Sequence, residues 1–192
     1  MRTVRLLGVF LTAAIAAHAG IINYGASLVG SQEVPPSGSP GTGTAFVTID
    51  TVMQTLSVNV TFSGLGSGTT ASHIHCCEPL GVNAMVATTT PTFPGFPLGV
   101  TFGTYNMTFD LTASSSYNPA FVTASGGTVA LAESTLLAGL AAGQTYLNIH
   151  TTNFGGGEIR GQLAVVPEPA TWILTGAALA GLAAARRKKL LL

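Results

Sequence analysis

Three histidines carry the chemical interest of this 192-residue chain. His73 and His75 flank Ile74, and on a β-strand residues two apart face the same way. Two imidazoles at that spacing can offer two nitrogens to one metal ion. His150 follows in Tyr146-Leu147-Asn148-Ile149-His150-Thr151, where Tyr146, Asn148 and His150 would share a face. Imidazole suits copper or zinc, and three such ligands leave a fourth position open. His73, His75 and His150 are therefore the candidate ligands of a copper or zinc centre, one with redox capacity if the metal is copper. Cys76 and Cys77, directly after His75, could extend the set. So could Glu158, in the strand expected after His150. The competing reading is structural: the histidines hydrogen-bond neighbouring strands and Glu158, and order one end of the domain.

Nothing else in the chain looks catalytic. There is no Gly-x-Ser-x-Gly elbow, P-loop, dinucleotide fingerprint or His-Glu-x-x-His. The expectation is a protein that is not an enzyme. Between Gly20 and Val165 there are six acids and one base, Arg160, a formal charge of 1 − 6 = −5. One cation is no electrostatic footprint for nucleic acid, which is excluded as a partner. The only cysteines are the neighbours Cys76 and Cys77. In an exported protein they are expected to be oxidised, to a vicinal or an intermolecular bridge.

The elements that must position these residues are mostly strands. Leu56, Val58, Val60 and Phe62 alternate with polar residues, the period-two mark of a half-buried strand. Thr44 to Asp50 precedes it, with Thr51 to Gln54 as the turn. Tyr105 to Leu111 alternates in the same way, and Ala71 to His75, Thr145 to Thr151 and Glu158 to Leu163 complete the set. The glycines at 155 to 157 can fold the last two into a hairpin. Ala130 to Ala142 is Ala/Leu-rich and ends at Gly143, so it reads as a short helix. The segment Thr88 to Gly99, with Pro91, Pro94, Pro97, Phe93 and Phe96, is expected to be an ordered cover over the core. The fold expected is mainly β: a two-sheet antiparallel β-sandwich, Ig-like or Greek key, with one short helix.

Both ends read as addresses. Residues 1–19 carry Arg2 and Arg5, an apolar core and Ala17-His18-Ala19, the pattern of a secretory signal peptide forming a helix. Residues 166–192 open with Val166-Pro167-Glu168-Pro169. An apolar run follows over 170–185, then Arg186-Arg187-Lys188-Lys189. The run is 16 residues long, about 24 Å of helix, which makes it a short transmembrane span for a bilayer core of about 30 Å. The basic cluster should stay cytoplasmic and leave the preceding domain outside. The order Pro167-Glu168-Pro169, apolar span, Arg186-Arg187 resembles the PEP-CTERM sorting signal of Gram-negative bacteria. That resemblance implies recognition by an exosortase, a membrane protease-transpeptidase, after the export machinery has delivered the chain. The domain would be held only transiently by its transmembrane segment on the way to the cell surface.

The middle, residues 20–165, carries a second resemblance. Gly30-Ser31-Gln32-Glu33-Val34-Pro35-Pro36, His73-Ile74-His75, Tyr146 to Thr151 and Gly157-Glu158-Ile159-Arg160-Gly161-Gln162-Leu163 follow one another in the order of the CHRD domain, first described in chordin. The chain resembles that family over Ala26 to Leu163, with insertions at Cys76-Cys77-Glu78-Pro79 and of a Pro/Phe-rich loop after Thr90. The resemblance implies an extracellular β domain. The combined expectation is an exported surface or matrix module, structural or binding, with exopolysaccharide or other envelope components as partners.

Overall fold

The computed structural model describes residues 20–167 and Gly176. Nine strands and two helices are laid out in the order β1 (Ile21–Val29), β2 (Thr42–Asp50), β3 (Thr55–Ser63), β4 (Thr69–Cys76), β5 (Met85–Val86), β6 (Gly103–Asp110), α1 (Pro119–Ala124), α2 (Val129–Ala141), β7 (Thr145–Thr151), β8 (Ile159–Gln162) and β9 (Ala164–Val165). Every pairing is antiparallel.

The ladder differs from the two-sheet expectation. The strands form one continuous sheet in the order β5-β4-β7-β8-β1-β2-β3-β6, with β9 also on β1. Continuity rests on a narrow join. β8 pairs along β7 but meets β1 only at Arg160 and Val29, and β9 then takes up Tyr24 and Gly25. Gly161 makes the join possible, because a Cβ there would collide with the Ser27 carbonyl oxygen and lie 2.9 Å from the Ala26 methyl. The sheet curls around the core, and the Pro/Phe segment brings its two ends together. Phe93 N–H donates to the Ser72 carbonyl of β4, while its ring stacks on Tyr105 of β6 at 5.6 Å. Tyr105 hydroxyl donates to the Pro94 carbonyl at 3.1 Å. Phe93 and Phe96 are buried, so the expected cover is part of the core itself.

The alternating strands face inward as their period requires. Leu56, Val58, Val60 and Phe62 are buried, as are Val47 and Ile49 opposite them. Burying such a side chain contributes about 1.5–3 kcal/mol. The helix expected over 130–142 spans Val129–Ala141. Thr128 Oγ1 caps it by accepting from Leu131 N–H, and Gly143, at φ +66°, receives the chain as it leaves the helix. Leu136 and Leu140 pin it to the core. A second helix, α1, was not expected. Asn118 caps it through Ala120 N–H, and Pro119 supplies the first helical φ. The signal helix expected over 1–19 and, apart from Gly176, the transmembrane segment expected over 170–185 lie outside the described residues. No helix among the described residues is long and apolar enough to cross a membrane.

Candidate metal centre

The histidines come together on the polar face of β4 and β7. In that ladder His73 lies opposite Asn148, His75 opposite Tyr146 and Ala71 opposite His150. Ile74, Leu147 and Ile149 point the other way, into the core. The period-two argument therefore holds on both strands. It leaves His150 diagonal to His73, where His73 Nδ1 and His150 Nε2 are 3.4 Å apart. One nitrogen from each of the three rings lies within 4.8 Å of the others.

The outer nitrogen of every ring is tied to a backbone carbonyl. His73 Nε2 bonds Pro91 O at 2.7 Å, His75 Nδ1 bonds Ala84 O at 2.8 Å and His150 Nδ1 bonds Gly155 O at 2.9 Å. A carbonyl only accepts, so each of these nitrogens carries the proton. The tautomers that follow leave lone pairs on His73 Nδ1, His75 Nε2 and His150 Nε2. Of these, His73 Nδ1 and His150 Nε2 face each other directly, and His75 brings one ring nitrogen within 4.8 Å of a nitrogen on each of the other two rings. His75 Nε2 is buried and makes no hydrogen bond, although the Asn148 side chain lies beside the ring. Acceptors facing one another repel unless a cation or a hydrogen-bond donor such as water stands between them. Two nitrogens on a tetrahedral ion, each about 2.05 Å from it, are about 3.3 Å apart. The His73–His150 separation fits that geometry. Ligand imidazoles commonly donate their remote N–H to a carbonyl or carboxylate, and all three rings here do so.

Burial keeps the imidazoles neutral. It pushes His73 and His75 down to about 4 and lowers His150 as well, while the carbonyl bonds pull partly in the opposite direction. Neutral imidazole is the form that ligates. Glu33 behaves in the opposite sense: burial pushes its carboxyl up to about 7 against the attraction of Arg160. Its Oε1 reaches the site region because Gly157, at φ +129°, has no side chain. A Cβ there would strike Glu33 Oε1 and lie 2.9 Å from Asn148 Nδ2. Both Glu33 Oε1 and Asn148 Oδ1 are buried without a hydrogen-bond partner.

These shifts set an expected pH profile for the metal-free protein. His73 and His75 have folded values below the unfolded value of about 6.5, so the unfolded chain takes up more protons as pH falls below it. Stability from this pair is intact above about pH 6.5 and declines toward pH 4. Glu33 opposes this, because its folded value exceeds the unfolded value of about 4.3. Two histidines against one glutamate give a net loss on acidification. The melting temperature of metal-free protein is expected to fall between pH 6.5 and 4.5, as calorimetry would record; a flat or rising profile would contradict the neutral-imidazole account.

The remaining candidates sit apart from the three nitrogens. Cys76 and Cys77 are bonded to each other. Their sulfurs pack at Gly139 and the Thr135 carbonyl of α2, with Cys76 on the core side of β4. Glu158 is fully buried and accepts from Ser39 Oγ, Gly66 N–H and Thr151 Oγ1. Pro167 is exposed at the end of the described domain. Glu168, Pro169, Arg186 and Arg187 lie outside the described residues. Sequence reasoning missed the carbonyls of Pro91, Ala84 and Gly155, and also the support behind His75. That ring stacks on Tyr146 at 4.7 Å with 9° between planes, and the Arg160 guanidinium lies 4.2 Å from the Tyr146 ring centre. Arg160, itself buried, donates to Asn83 Oδ1 at 2.9 Å. The Gly-Glu-Ile-Arg-Gly-Gln-Leu phrase and the Tyr146 strand thus form one supporting layer, which the fixed spacing of those phrases could have suggested.

The early Gly30-to-Pro36 phrase closes on the same layer. Gln162 N–H donates to Gln32 Oε1, and Ser37 Oγ donates to the Glu158 carbonyl. The four sequence phrases are therefore parts of one folded unit. The model of the CHRD domain matches residues 24–163. The chain belongs to the CHRD domain family. A second model, the PEP-CTERM protein-sorting motif, matches residues 165–188 directly after the CHRD domain. That motif implies processing by an exosortase and export to the cell envelope. No curated protein and no solved structure matches the chain.

Proposed function

We propose that this CHRD protein is a noncatalytic, surface-displayed β module that binds one copper or zinc ion through His73, His75 and His150. The observation that carries the reading is that one nitrogen from each of the three rings lies within 4.8 Å of the others, on rings whose far N–H groups are all held by carbonyls. Rings already oriented lose little freedom on binding. A copper or zinc ion would supply positive charge to His75 Nε2 and keep a fourth position for water or an external donor. Titration of the full chain with Cu(II) and with Zn(II), in competition with a chromophoric chelator, tests it. One equivalent is expected to bind tightly. Uptake no stronger than that of the His73→Ala/His75→Ala protein would reduce the histidines to structural members.

The display half of the reading rests on the motif over 165–188. Removing Pro167 to Leu192 is expected to release the domain into the medium, which fractionation of an expressing culture with an antibody would show. Retention of the truncated protein in the membrane would contradict it. The partners proposed for the displayed domain are exopolysaccharide or other envelope components, after the export machinery and exosortase have acted.

A further inference from the structure

The outer face of β1-β2-β3-β6 carries an ordered grid of hydroxyls. The registers align Ser27, Thr44, Thr61 and Thr104 in one row across four strands, and all four are exposed. At about 4.8 Å per strand the row is about 14 Å long. Thr44 Oγ1 and Thr61 Oγ1 hydrogen-bond at 2.8 Å. Another pair, Ser57 Oγ and Thr108 Oγ1, does the same at 2.8 Å farther along the strands. The row floors two adjoining depressions of about 820 and 340 Å³, which share Thr44, Thr61 and Thr104. Phe102, 71% exposed, lines the first and Phe46, 43% exposed, lines the second. Phe46 lies two residues past Thr44 and Phe102 two before Thr104, so the rings flank the row on opposite sides. None of the domain's acids lies in either depression, nor does Arg160.

We propose that this face is a docking surface for a neutral polysaccharide, laid along the Ser27–Thr44–Thr61–Thr104 row with Phe46 and Phe102 as stacking platforms. It gives the envelope partner proposed above a place on the fold and rests on that part of the reading, but it is separate from the histidine face and independent of whether that face binds metal. Three features of the face select this partner. Without a charge in the groove, neither a polyanion nor a polycation gains a complementary contact, while an uncharged chain incurs no cost of desolvating an ion. Each hydroxyl both donates and accepts, as a sugar hydroxyl does, and threonine is stiff at χ1, so the array is ordered before binding. Exposed aromatic rings beside hydroxyls suit sugar rings, whose faces are C–H and whose rims are O–H.

The test is affinity electrophoresis of the full chain, in a polyoxyethylene detergent, through gels containing dextran, β-1,3-glucan, galactan or mannan, with alginate as the acidic control. At least one neutral polysaccharide is expected to retard the protein, and alginate is not. Thr61→Lys and Phe46→Ala/Phe102→Ala are expected to weaken the retardation at least tenfold, with the melting temperature and metal uptake held. Any of four results would overturn the proposal: no retardation by any of the four, equal retardation by alginate, folded variants that bind as before, or sedimentation showing a dimer that the same substitutions abolish. The last would assign the face to a second copy.

Discussion

Replacing His75 with alanine is expected to lower copper or zinc affinity by about 100-fold or more, since losing even an outer-shell partner commonly costs 10–100-fold. His75 is the most informative ligand to remove. Its Nε2 is the buried nitrogen without a hydrogen-bond partner, and Ala84 O and Tyr146 fix its ring from two directions. The metal-free variant should lose only modestly in stability, by about 1–3 kcal/mol, because the Ala84 carbonyl is left without its donor. Chelator competition reads the first effect and denaturant unfolding the second. A large stability loss with metal uptake unchanged would make the ring a structural part of the sheet.

The largest expected loss of stability falls on Glu158. Replacing it with alanine is expected to cost about 4 kcal/mol, since hydrogen bonds to charged groups contribute about 1.5–3 kcal/mol each and buried donors are left unmet. The carboxyl gathers the Ser39 loop, the Gly66 turn and Thr151 at the end of β7, all at 2.5–2.6 Å. Its own backbone carbonyl accepts from Ser37 Oγ at 2.7 Å. Two loops and the end of β7 therefore converge on one buried side chain. Glu158→Gln keeps the shape but turns an amide N–H₂ toward groups that donate, so about half the loss should persist. Denaturant midpoints of the two variants check this, and a Glu158→Ala midpoint close to that of the parent would refute the role of Glu158 as a hub.

The histidine pair was legible because strand period is a local property. His73 and His75 had to share a face whatever the rest of the chain did, and the alternation through Leu147 and Ile149 placed His150 on the matching face of β7. The carbonyls were not legible. Pro91, Ala84 and Gly155 are in loops, and their oxygens are positioned by packing rather than by residue type. The single sheet was hidden for a similar reason. Its continuity depends on the Val29–Arg160 pairing and on the missing side chain of Gly161, neither of which produces a hydrophobic pattern. β1 leaves no alternating pattern in the sequence, because its buried positions, Tyr24 and Leu28, are separated by Gly25-Ala26-Ser27, while Ile21 and Ile22 are exposed. Helix α1 was marked by Asn118-Pro119, a cap followed by a first-turn proline, but at six residues it offers no periodicity to read.

The central claim is that the three converging nitrogens exist to hold a metal. It is tested most directly by elemental analysis of the full chain purified from an exporting host, beside the His73→Ala/His75→Ala protein. The account predicts close to one copper or zinc per chain, and none in the double variant. A metal-free parent that also fails to take up added copper or zinc, with a double variant that is merely less stable, would contradict it and leave the histidines as part of the framework.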